Sequence, residues 1–126
     1  MKKLVATLLI LFAGPSWAQW VLYQRDMDGA NYFYDPSTIQ GENKKRVWTR
    51  VDHKSKNELG WHSARALQEY DCINKTYKPL QVEIFSGPSL QGAILNTIRE
   101  KELYGPDHLA PDTIGHTLLT IICQKK

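Results

Sequence analysis

Two cysteines, Cys72 and Cys123, constrain this chain more than any other feature. Cys72 ends a long strand-like run, Trp61 to Cys72, beside a turn at Asn74-Lys75 that leads into a second strand carrying Leu80, Val82 and Ile84. Cys123 stands almost at the C-terminus. Two cysteines in an exported chain most often pair, and pairing these would staple a hairpin to the chain end. A bridge closing a loop of about 50 residues contributes ~4 kcal/mol in the chain-entropy model, comparable with the net stability of many small domains. A nucleophilic cysteine would need a base and an electropositive niche. No Cys-x-x-Cys or Cys/His cluster offers a zinc site. The expectation is a structural disulfide, Cys72–Cys123.

Export is read at the N-terminus. Lys2 and Lys3 form a charged start, Leu4 to Phe12 an apolar stretch, and Gly14-Pro15 a break before Ser16-Trp17-Ala18. This is the pattern of a secretory signal peptide cleaved after Ala18. The apolar run is shorter than the ~20 residues that span a bilayer. No cysteine adjoins the cut, so the expected location is periplasmic or secreted, without a lipoprotein anchor. Residues 19–126 then form one domain with a single modest core. The formal net charge of +3 includes Lys2 and Lys3, so the processed chain is nearly neutral. It lacks the basic field of a nucleic-acid binder, and Lys44-Lys45-Arg46 reads as a solvated strand entrance.

Alternation and turn residues divide the domain. Trp20 to Arg25, Asn31 to Tyr34, Lys45 to Asp52, Trp61 to Cys72 and the run around Leu80 to Ile84 read as strands, with a weaker sixth at Ile94 to Arg99. In Trp61 to Cys72, Leu67 opposes the Ala64, Ala66, Tyr70 and Cys72 set, which predicts apolar residues on both faces or a bulge near Ala66. Pro79 predicts an edge or non-bonded position. Glu100 to Ala110 looks irregular. Beyond Pro111 the period changes: Ile114, Leu118, Ile121 and Ile122 recur at helical spacing behind Asp112 as N-cap. Gly115 inside that helix costs ~1 kcal/mol, so packing must stabilise it; a strand over 117–123 is the competing reading. The fold class is α+β, an antiparallel β-sheet of about five to six strands with a C-terminal α-helix packed on it.

Catalytic and metal signals are weak. His53 and His62 flank one loop but lack a third ligand, and His108 and His116 straddle the start of the helix. Ser86-Gly87-Pro88-Ser89 is not a nucleophile elbow. Asp26 and Asp28 lack the rest of a calcium loop. Glu69 and Asp71 share a strand face, where a link from Asp71 to Lys75 or Lys78 is the plain expectation. No catalytic residue, metal ligand or cofactor is assigned. Aromatic residues concentrate in the first four strands, mainly for packing. Alternation sets Trp48 beside Arg46 and Arg50 on one face, the composition of a protein-contact surface. Arg46, Trp48 and Arg50 are therefore the candidate protein-binding residues.

Tyr34-Asp35-Pro36-Ser37-Thr38-Ile39, Val47-Trp48, Glu69-Tyr70-Asp71-Cys72, Ser86-Gly87 and a Pro-led terminal segment ending in cysteine occur in one order. In that order and spacing the chain resembles the surface-adhesin protein E family, small exported bacterial proteins, over about residues 20 to 124. The resemblance implies an antiparallel sheet with a terminal helix tied back by the disulfide. It also implies a non-enzymatic adhesin-like module with a protein partner. The family's founding member binds host matrix proteins such as vitronectin and laminin, and haem; haem enters here only through the resemblance. The founder is a lipoprotein, and this chain departs from it in having no lipid-attachment cysteine beside the cut. No ligand-contacting residue carries over. A periplasmic inhibitor, for example of lysozyme, is the alternative in the binding class.

Overall fold

The computed structural model describes residues 18–124, so the leader expected at 1–18 lies, apart from Ala18, outside the described residues. Consecutive strands pair as an antiparallel meander: β1 (Val21–Arg25), β2 (Asn31–Tyr34), β3 (Lys44–Asp52), β4 (Ser63–Asp71), β5 (Thr76–Phe85) and β6 (Ile94–Arg99). A two-residue β7 (Asp107–His108) pairs with Thr76 and Tyr77 at the start of β5. The chain ends in α1 (Ile114–Gln124). The α+β class, the order of strands and the terminal helix are those expected, and the strand alternative for 117–123 is excluded.

Pairing register settles which side chains share a face. Val47 lies opposite Gln68, Thr49 opposite Ala66, and Lys45 opposite Tyr70, which in turn faces Tyr77. These side chains, with Tyr34, point toward α1 and form the helix face. Arg46 opposite Glu69, Trp48 opposite Leu67 and Arg50 opposite Arg65 form the outer face. The first explanation for Leu67 holds, since the sheet carries apolar groups on both faces and β4 alternates without a break. A bulge does fall beside Leu67 and Gln68, but its extra residue, Leu80, is on β5. Pro79 sits on β5 between the stretch paired with β7 and the stretch paired with β6, where its missing N–H costs no ladder bond.

The core lies between the sheet and α1. Leu118, Leu119 and Ile122 are buried against Tyr34, Val47 and Tyr70; each such aliphatic side chain contributes ~1.5–3 kcal/mol by leaving water. The N-cap differs from the expected Asp112, which has a φ of 66°. Thr113 is the cap: its Oγ1 accepts the His116 N–H at 3.1 Å. Gly115 has a packing reason, since a Cβ there would lie 2.8 Å from Leu109 Cδ2. The last turn is held twice. Lys45 Nζ donates to the Ile122 carbonyl at 3.3 Å, and Cys72–Cys123 is bonded with its Cα atoms 5.5 Å apart.

The β4–β5 turn falls at Asn74-Lys75 as expected, and Lys75, with φ 60°, takes the left-handed conformation. Asp71 Oδ1 accepts the N–H groups of Ile73 and Asn74, and the Asn74 amide donates to Asp71 Oδ2. The expected link from Asp71 to Lys75 or Lys78 is not made; Lys78 pairs with Glu100 at 2.8 Å.

Candidate functional site

The outer face of β3 to β5 carries a band of stacked cations and carboxylates. Arg46 Nε donates to Glu69 at 3.1 Å, and Arg65 Nε to Glu83 at 2.8 Å. The Arg65 guanidinium also lies 5.0 Å from the centre of the Trp48 ring, a cation–π distance. Arg50 packs 4.7 Å from the Phe33 ring and 5.8 Å from that of Trp20, with Asp52 as its ion-pair partner. Accessibility divides the three expected residues. The Arg46 side chain is 57% exposed, Trp48 is half-buried, and the Arg50 side chain is only 13% exposed. Arg65, whose side chain is 42% exposed, joins the band from β4. Alternation along β3 placed Arg46, Trp48 and Arg50 on one face, but Arg65, Glu69 and Glu83 required the register.

Trp48 is positioned by the Asp35 turn. Asp35 caps a short 3-10 turn, Pro36–Thr38, by accepting from the Ser37 N–H and hydroxyl at 3.0 and 2.6 Å. Thr38 Oγ1 donates to the Asp35 carbonyl and accepts the Trp48 N–H at 3.0 Å. The Asp35 N–H donates to the Trp48 carbonyl. Both backbone groups of Trp48 are thus fixed by residues of one hexapeptide.

The helix face opens into a cleft of about 670 Å³ beyond the N-terminus of α1. Tyr23, Tyr32, Tyr70 and Tyr77, with Thr49, Gln68, Ala64, Ala66, Val51, Val82, Arg50 and Arg65, line it from the sheet. Asp107 and His108 line it from β7, and Leu109, Ala110, Thr113, Ile114 and Gly115 from the segment that leads into α1. Its polar groups are largely tied. Tyr70 donates to Gln68 at 2.7 Å, Gln68 to Thr49 at 3.3 Å, and Thr49 to the Ala66 carbonyl at 3.1 Å. Tyr32 donates to Asp26 at 3.0 Å. Burial raises the phenols of Tyr23 and Tyr70 well above their ordinary range. Burial, then the Asp26 hydrogen bond, pushes Tyr32 up to about 12. These hydroxyls stay neutral donors at physiological pH. The cleft was not read from sequence, because five strands contribute to its floor and its wall has no periodic signal.

The remaining residues weighed for chemistry hold structure. Asp26 accepts the N–H groups of Asp28 and Ala30, both at 2.9 Å, in the β1–β2 turn. Ser86 Oγ accepts the Ala93 N–H and closes the β5–β6 loop. His53 and His62 meet through backbone, His53 N–H to His62 C=O at 2.9 Å, while His62 Nδ1 is buried without a partner among the described residues. His108 lines the large cleft and His116 a smaller pocket beside Cys123, so the two do not converge. Among the described residues, no group of three or more His, Cys, Asp or Glu side chains could hold a metal ion. No helix among them is long and apolar enough to cross a membrane.

Solved structures similar to this fold include several of protein E from Haemophilus influenzae. One crystal form matches with a TM-score of 0.63 at 17% identity, covering 87% of this chain and 91% of that one. Protein E from a non-typeable strain matches with a TM-score of 0.56 at 15% identity, covering 87% and 80%. At such identities the likeness establishes the fold alone. No curated protein matches the sequence. The family of surface-adhesin protein E matches residues 20–124, nearly the whole described domain and the span over which the ordered motifs occur. The chain therefore belongs to the surface-adhesin protein E family.

Proposed function

We propose that this protein is a non-enzymatic, exported adhesin-like module that holds a protein partner on the outer face of its sheet, around Arg46, Trp48 and Arg50. The observation that carries this is the Arg46–Trp48–Arg65 band, a half-buried aromatic ring covered by one half-exposed guanidinium group and beside another. Tryptophan and arginine dominate the energetics of protein interfaces, and the flanking Glu69 and Glu83 hold the guanidinium planes in place before a partner arrives. Arg50 acts from below, bracing Phe33 and Trp20 beside the contact surface. A non-enzymatic role is supported by how the carboxylates are used: Asp26, Asp35 and Asp71 cap turns, and Glu69, Asp52 and Glu83 pair with arginines. The disulfide suits an oxidising compartment, in keeping with release after Ala18 into the periplasm or beyond without a lipid anchor.

A photo-reactive amino acid in place of Arg46, tested with vitronectin and laminin, checks this reading. Cross-links from position 46 but not from exposed Leu59 are expected; cross-links from Leu59 alone would overturn the assignment. A lysozyme assay with added protein separates the adhesin-like reading, which predicts no inhibition, from the inhibitor alternative.

A further inference from the structure

The tyrosine-lined cleft lies on the face of the sheet that contact through the Trp48 band leaves unused. Its volume, about 670 Å³, falls within the range of small-molecule sites, roughly 300–1,000 Å³. Its depth has a sequence origin: Ala64 and Ala66 occupy neighbouring helix-face positions on the central strand β4, where larger side chains would have filled the space. Its charge has one as well. Alternation sends Arg46, Arg50, Arg65, Glu69 and Glu83 to the outer face, where each has an ion-pair partner. The centre of the floor is left with alanines, valines, phenols, a threonine and a glutamine. Arg50 and Arg65 also line the cleft, but their guanidinium groups lie against the Phe33, Trp20 and Trp48 rings of the outer face. Asp107 and His108 enter from β7 beside the start of β5.

We infer that the cleft binds an uncharged, largely apolar small molecule bearing a hydrogen-bond acceptor such as a carbonyl or ether oxygen. An anionic ligand would meet no uncommitted cation on the floor, since Arg50 and Arg65 are paired with Asp52 and Glu83, and a cationic one would meet no carboxylate there. The acceptor is specified by the tyrosines. Tyr32 and Tyr70 donate within the chain, whereas the hydroxyls of Tyr23 and Tyr77 line the cleft with no hydrogen bond among the described residues. They are two donors awaiting an oxygen, set beside an apolar floor that takes the rest of the molecule.

Fluorescence titration of the folded, disulfide-bonded protein with prodan, an uncharged naphthalene ketone, tests this directly. A saturable blue shift at one site is expected, with anilinonaphthalene sulfonate, a related but anionic fluorophore, binding about tenfold more weakly or worse. Ala64→Trp fills the floor and is expected to abolish prodan binding. Tyr77→Phe keeps the ring, removes one donor, and is expected to weaken binding about fivefold, the equivalent of one ordinary hydrogen bond. Trp48→Ala, on the opposite face, is expected to leave it unchanged, which separates this site from the outer-face reading. Absence of saturable prodan binding, or equal affinity for the sulfonate, would overturn the proposal. So would full binding by a folded Ala64→Trp protein; should that variant not fold, full affinity in Tyr77→Phe would do the same.

Discussion

Asp26 and Asp71 do the same work at opposite ends of the sheet, each gathering the N–H groups of a turn onto one carboxylate. Backbone donation, from Ala30 to Asp26 and from Asn74 to Asp71, holds both carboxyls below their ordinary range. A depressed folded-state value contributes stability that is present above the unfolded carboxylate range and lost as pH falls through the folded value. Thermal melts from about pH 5 down to about pH 2 should therefore show an acid limb, and Asp71→Asn should make it shallower. An unchanged limb in that variant would show that the turn is not its source. The phenols act with the opposite sign. Tyr23, Tyr32 and Tyr70 titrate above the ordinary value in the folded state, so their contribution is present below about pH 10 and lost as pH rises further. An alkaline titration followed by ultraviolet absorbance is expected to ionise some tyrosines only as the protein unfolds. Smooth ionisation of every phenol near pH 10, with the fold intact, would contradict their burial.

Among the elements, α1 depends most on tertiary support. Its own sequence includes Gly115 and several β-branched residues, poor helix formers, and its stability comes from Leu118, Leu119 and Ile122 against the sheet. Leu118→Ala is expected to cost ~2–5 kcal/mol in chemical denaturation, and Thr113→Ala about 1 kcal/mol through the lost cap. Replacing both Cys72 and Cys123 by serine is expected to cost ~4 kcal/mol; a loss well under 1 kcal/mol would mean that packing and Lys45 hold the last turn unaided. These elements were legible where a period was strong. Val47-Thr49-Val51 against Arg46-Trp48-Arg50, Val82 with Ile84 and the spacing of Ile114, Leu118 and Ile122 each announced its face, whereas Leu80 falls in the β5 bulge. Legibility failed where partners come from distant strands or turns. That Arg65 covers Trp48 follows from the β3–β4 register, and that Thr113 caps α1 follows from the left-handed Asp112 before it. The Asp107–His108 strand owes its place to β5 and has no periodic signal of its own.

The whole molecule is a sheet with two dissimilar faces. Alternation through β3 and β4, and through β5 on either side of its bulge, sorts stacked arginines, a tryptophan and paired carboxylates to one side, and tyrosines with small aliphatic residues to the other. The terminal helix covers only part of the second side and leaves the cleft beyond its N-terminus. Membership in the surface-adhesin protein E family and the likeness to Haemophilus influenzae protein E establish this architecture for the chain. The Asp35 hexapeptide, among the motifs that order the family resemblance, fixes the backbone of Trp48. That links the scaffold to the proposed contact surface. The most direct measurement is the affinity of the purified Trp48→Ala protein for immobilised vitronectin and laminin, beside the wild type, with folding verified by circular dichroism. The proposed outer-face contact predicts that the wild type binds at least one of them and that the variant binds it about tenfold or more weakly. Equal affinity of the folded variant for every partner the wild type binds would contradict it.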